Sequence, residues 1–171
     1  TENTVTPVLP LLADRTLRSL WLMLRLWAIV FVANLAGTAL AALIAVYARF
    51  ATPAQLATFY AVAQPLSERT PLDILLQAIP AGFFLAAMVW MLAAAKGSHF
   101  WIILLMSYLI ALGGFPHVVV GSTEVFLLMF SGQLAVWHGT FGIIAPALIG
   151  NLVGGTGLFA LLAYGQVKEE I

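Results

Sequence analysis

The chain predicts an all-α integral membrane protein, a helical bundle built as an inverted repeat with broken helices. Three observations carry that prediction. Of its 171 residues, 63% are hydrophobic and 8% charged, where a soluble domain averages about 25% charged. Apolar runs of the length that crosses a bilayer, about 20 helical residues, recur at 20–47, 74–95, 100–130 and 141–165. The third of these is too long for one straight span and is interrupted at Gly113-Gly114-Phe115-Pro116-His117.

Taken in order, residues 1–13 form a mostly apolar segment too short to span alone, followed by the charged connection Asp14-Arg15-Thr16-Leu17-Arg18. Residues 20–47 read as a long helix with Arg25 near its start and Asn34 and Gly37 inside. Residues 49–73 are the most polar stretch and carry Pro53, Pro65 and Pro71. They read as a loop with short helices along the membrane surface. A second span covers 74–95, and Lys96-Gly97-Ser98-His99 makes a polar turn. In the broken span, two glycines weaken the helix and Pro116 removes a backbone N–H and clashes with the preceding turn. Backbone groups freed in lipid are tolerated only where protein or a water-filled cavity receives them. An ionisable His117 at that point is therefore a functional-site candidate. Residues 131–139 connect to a last span over 141–165. The count is about four full spans plus one half-helix.

Basic residues set the orientation. Placing Arg15, Arg18, Arg25, Lys96 and Lys168 on one side leaves only Arg49 and Arg69 opposite. By the positive-inside rule the first side, with the C-terminus, is cytoplasmic.

Asn34-Leu-Ala-Gly37 is echoed by Asn151-Leu-Val-Gly154, and a Thr-Glu pair lies upstream of each, Thr1-Glu2 and Thr123-Glu124. The two units run in opposite directions, as in transporters built from inverted repeats with a site near the midplane. On this reading residues 1–48 end a first repeat, 49–73 form a periplasmic connection and 74–171 form the second repeat of one channel domain. The first repeat is short of a span and half a broken helix, and the chain opens on Thr1 rather than Met. A longer protein that begins before this chain is expected.

At four places the residues resemble the formate/nitrite transporter family. Thr1-Glu2-Asn3-Thr4 is similar to the end of its Leu-Phe-Thr-Gly-Asn-Thr stretch on the second, broken helix. Asn34-Leu-Ala-Gly37 resembles its third helix, Gly114-Phe115-Pro116-His117 its Gly-Phe-Glu-His on the fifth, and Pro146 with Gly150-Asn151-Leu-Val-Gly154-Gly155 its sixth. The likeness covers the whole chain as helices 2b to 6 of an aquaporin-like, six-helix fold. Departures stand at Glu2, at Pro116 in place of an acid, at Gly121 and Gly82 in place of asparagines, and at Ile110 in place of a pore-narrowing phenylalanine. This pattern is similar to the divergent YfdC-like branch, whose substrate need not be formate or nitrite. The resemblance implies a bacterial inner-membrane homopentamer with one pore per protomer, passing small monocarboxylates or similar anions passively or with protons. It also implies that His117 is the central pore residue, with Thr1 opposite.

Each candidate has a plain alternative. His117 could simply bond a neighbouring helix, although position and motif favour the pore. Glu2 and Glu124 are costly at a helix centre, about 2.5–3.5 kcal/mol on insertion scales, so they face a cavity or each other, or form a structural pair. Asn3 joins them at the first break. Phe115, Ile110 and Val118 could form a dry constriction or only pack. Asn34, Asn151, Gly154 and Gly155 read as helix packing, where small residues let backbones approach. His99 and His138 read as loop residues.

Zero cysteines exclude disulfides and thiolate chemistry. The three histidines lie in separate segments, so no metal site or cofactor is expected. Ser122 has no nucleophile elbow around it, so no catalytic residue is assigned. Net charge is zero with no basic run, which argues against nucleic acid. The partners expected are a small anion or weak acid, lipid and further copies of the chain. Ionised glutamates in the vestibules would favour a cation or neutral solute instead. A non-transporting membrane scaffold is a further alternative, and an intramembrane enzyme a distant one.

Overall fold

The computed structural model describes residues 16–48 and 51–159, together with Val8, Leu11, Leu162 and Gly165. Thr1, Glu2 and Asn3, and the basic residues Arg15, Arg49 and Lys168, lie outside the described residues. Among the described residues every regular element is helical.

Helix α1 is Leu17–Tyr47. It starts three residues earlier than the hydropathy suggests, because the Thr16 hydroxyl accepts from the Ser19 N–H at 3.1 Å and caps the first turn. Such a cap satisfies one of the N–H groups a helix start leaves orphaned. Helix α2, Pro53–Ser67, stands where a surface loop with short helices was expected. A capping box between Thr52 and Gln55 and Pro53 in the first turn nucleate it, since proline's missing N–H costs nothing there. Ala63 and Leu66 are buried, and α2 packs against the second half of the broken span.

Helix α3, Pro71–Ala94, is capped by the Thr70 hydroxyl on the Asp73 N–H. The broken span is real. Helix α4, His99–Leu112, and helix α5, Val118–Phe130, are separated by Gly113–His117. Helix α6, His138–Phe159, begins three residues before the sequence expectation. Its central α-helical part, Ala145–Leu152, is flanked by wider π-type turns. Pro146 follows the first of these directly, where a wider turn relieves the ring's clash with the preceding carbonyls. His99 and His138 are each the first residue of a helix, not loop residues, and both are exposed.

Three described helices, α1, α3 and α6, are long and apolar enough to cross a membrane, while α4 and α5 are individually short. Among the described residues there are thus three long helices and one pair of half-helices. The core sits where α3 crosses α6 and where α1 and α2 hold α5. Ile74, Ala78, Val118, Val125, Ile143 and Ala147 form one buried cluster there.

The crossing of α3 and α6 depends on small residues on both helices. A Cβ at Gly150 would collide with the Leu75 carbonyl, one at Gly154 with the Ile79 carbonyl, and one at Gly82 with the Asn151 carbonyl. Gly155 approaches the Gly82 carbonyl more loosely, at 3.1 Å for an added Cβ. With Ala78 and Ala86 also buried on α3, the two backbones meet as small-xxx-small ridges do in lipid. Gly154 and Gly155, read from the sequence as helix-packing residues, lie against the Ile79 and Gly82 carbonyls of α3. Gly82 is required by the same contact.

Candidate functional site

The break is a tight turn followed by a fresh helix start. Gly114 sits at φ +58, a left-handed conformation that glycine enters without steric cost. The Gly113 and Gly114 N–H groups still bond back to Leu109 and Ala111, and Phe115 N–H bonds to Ile110 at 3.1 Å. The chain then turns extended at His117 (φ −104, ψ 124), which occupies the cap position of α5. The His117 carbonyl accepts the first helical bond from Gly121 N–H, at 2.7 Å.

What holds this break in place is Asn151. Its Oδ1 accepts from the Val118 N–H at 2.8 Å, and its Nδ2 donates to the Pro116 carbonyl at 3.0 Å and the Ala78 carbonyl at 2.8 Å. One buried side chain thus stitches α6 to α3, to the break at Pro116 and to the start of α5. In lipid those freed backbone groups have no water to turn to. Asn34, which the sequence pattern pairs with it, does not do this among the described residues: its Nδ2 donates to Val30 of its own helix at 2.8 Å.

Arg69 is a second clamp. It lies in the connection between α2 and α3, and its Nη1 donates to the Gly114 carbonyl at 2.9 Å and to Gln77 Oε1 at 2.8 Å. Sequence reading used Arg69 only for orientation. A signal was present, because a cation just before a helix N-terminus opposes the macrodipole and needs some other partner.

Two cavities flank His117. The narrow one, about 90 Å³, is lined by Trp27, Asn34, Leu85, Leu148 and Asn151 among others. The wider one, about 520 Å³, is lined by Arg69, Ser107, Ile110, Phe115, Gly121 and Glu124 among others. His117 and Leu85 line both. His117 is half-buried, and its imidazole does not cap α5. From α5 the wide cavity receives His117, Val120, Gly121 and Glu124, the i, i+3, i+4, i+7 face of one helix. Val118, Ser122 and Val125 turn the other way into the core, where Ser122 Oγ meets Thr38 Oγ1 of α1 at 2.9 Å. Arg69 and Glu124 both line the wide cavity.

The expected site residues thus divide clearly. His117, Glu124, Ile110 and Phe115 come together around the wide cavity, with Phe115 tilted on Phe84 at 6.2 Å and folded back over Gly113. Asn151 is more than packing, since it holds the break. Thr1, Glu2 and Asn3 fall outside the described residues. Arg69 and Leu85 are additions that sequence reasoning missed.

Known proteins match this chain in two comparisons. The sequence profile described as Formate/nitrite transporter matches residues 1–165. The protein named Inner membrane protein YfdC of Escherichia coli (strain K12) is 37% identical over 171 residues, covering 100% of this chain. The chain spans about half, 55%, of that relative's length. No solved structure matches.

Proposed function

A chain matched along almost its whole length in this way belongs to the formate/nitrite transporter family, and on that premise we propose that it forms part of a channel for small monovalent anions or weak acids, with His117 at its narrowest point. One observation carries the reading: His117 lines both the narrow and the wide cavity. The two cavities open to opposite sides of the membrane, and the solute passes between them at the break. Phe115 and Ile110 narrow the wide cavity above it, and Thr1, Glu2 and Asn3 complete the wall from the first repeat.

An anion stripped of water in an apolar passage is strongly disfavoured. A weak acid therefore crosses better as its neutral form, and passage becomes linked to protons. Imidazole can give a hydrogen bond to the solute at the midpoint. The protein works as a homopentamer in the bacterial inner membrane, with the C-terminus cytoplasmic and residues 49–73 periplasmic. Glu124 in the wide cavity favours a second reading, a pathway for a cation or small neutral solute on the same scaffold.

The test is uptake of radiolabelled formate, nitrite and methylammonium into liposomes carrying the full-length protein, for wild type and His117→Ala. Formate or nitrite uptake above empty liposomes, altered in the variant, supports the anion reading. Methylammonium uptake alone would replace it with the cation reading. No uptake of any solute by folded protein would remove transport altogether.

A further inference from the structure

The wide cavity holds one acid, Glu124, one fixed cation, Arg69, and the imidazole of His117 on its floor. Seven residues separate His117 from Glu124 on α5, two turns and about 10 Å along the axis, with both on the cavity face. Between them stands Gly121, which adds no side chain to the path. A Cβ there would come within 3.2 Å of Leu66 on α2. Arg69 has one nitrogen engaged by Gly114 and Gln77, so its charge is anchored in the cavity wall. Other titratable or charged groups on elements packed against α5 or in its connections are Arg18, Arg25, Tyr47, Tyr60, Glu68 and His138. None of them lines this cavity; Tyr47 gives its hydroxyl to the Phe130 carbonyl at 2.7 Å.

We propose that Glu124 hands a proton to a small carboxylate or similar weak-acid anion in the wide cavity, before the solute reaches His117. This rests on the weak-acid reading above and identifies the proton donor within it. The anion enters opposite Arg69 while Glu124 carries its proton. The Glu124 O–H bond breaks, an O–H bond forms on the solute, and the electron pair stays on Glu124 as carboxylate. The cavity's net charge is the same before and after, because Arg69 exchanges the solute anion for the Glu124 carboxylate. The neutral acid is released toward His117, and Glu124 is reprotonated from the water that fills the vestibule. Position favours this order: Glu124 lines only the wide cavity, whereas His117 also lines the narrow one beyond it.

The experiment uses the full-length protein in liposomes and two readouts. Infrared difference spectra on adding formate at constant pH follow the carbonyl stretch of a protonated carboxyl. An internal pH dye follows proton-linked flux. The expected result is a formate-induced loss of the carboxyl band in wild type that is absent in Glu124→Gln. Flux should fall about a hundredfold in that variant, the lower range for general acids, and largely return in Glu124→Asp. Arg69→Gln should raise the formate concentration for half-maximal flux. A carboxyl band indifferent to formate in wild type would overturn the proposal, even if Glu124→Gln fails to fold. Unchanged proton-linked flux in a folded Glu124→Gln protein would also overturn it. A band that responds in protein that passes no formate would sustain the proton transfer and remove the transport reading instead.

Discussion

The two halves of the broken span, α4 and α5, come from one apolar run and yet have opposite fates. Helix α4 contributes no buried residue, and Phe100, Trp101, Leu104, Leu105, Tyr108 and Leu112 all stand exposed. Helix α5 buries Val118, Ser122, Val125, Leu127 and Leu128, is gripped by α1 and α2, and presents His117 and Glu124 to the wide cavity. Hydrophobicity does not separate them. What does is the placement of small and polar residues: α5 carries Gly121, Ser122 and Thr123 in one turn, while α4 has His99 at its start and Ser107, Tyr108 and Ala111 scattered along an otherwise bulky, apolar helix. In lipid an apolar side chain gains little by leaving the acyl chains for another helix, so close backbone approach and polar contacts decide which helix goes inside.

The sharpest way to break this arrangement is at Asn151. Asn151→Leu leaves the Val118 N–H and the Pro116 carbonyl without their partner, at about 1–3 kcal/mol for each buried group. The midpoint of thermal unfolding in detergent should fall strongly and flux should be lost. Asn151→Asp keeps the acceptor for Val118 and loses both donations, so it should recover only part of the stability. Next in size is Gly154→Leu, which drives a side chain into the Ile79 carbonyl. Overpacking of this kind costs about 1–3 kcal/mol or more, read in the same melting assay. Ser122→Ala removes the contact with Thr38 and should cost about 0.6 kcal/mol, the mean for interhelical hydrogen bonds in membranes. Smallest is Leu105→Ala on α4: at an exposed site away from the packing contacts, the change should stay within about 0.5 kcal/mol. If Leu105→Ala proved as damaging as Gly154→Leu, the contrast between the half-helices would fail.

Local chemistry made much of this legible in the sequence. Gly113, Gly114 and Pro116 marked the break because glycine and proline act on their own backbone. The long runs marked α1, α3 and α6 because hydropathy is a sum over neighbours. Helices α1 and α3 start a few residues before their apolar runs because Thr16 and Thr70 cap them through hydrogen bonds that hydropathy does not register. Residues 49–73 read as a loop with short helices because of their three prolines and polar residues, while Pro53 in the first turn starts a single 15-residue helix and Pro65 falls near its end. Contacts across the fold were the least legible. Asn151 was recognisable as a polar residue among glycines, but its three partners lie on α3 and at the break. Arg69 reaches Gly114 across 45 positions of sequence, a pairing with no local trace.

On the reading proposed above, His117 divides two cavities that face opposite sides of the membrane. Single cysteines at Val30 in the narrow cavity and Val120 in the wide one test it most directly, in full-length protein whose other cysteines have been replaced. A membrane-impermeant thiol reagent would be applied separately to each face of sealed, oriented vesicles. The account predicts that Val30→Cys reacts from one face only and Val120→Cys only from the other. Reaction of both from the same face would contradict it, because the two cavities would then be one vestibule and His117 no division between them.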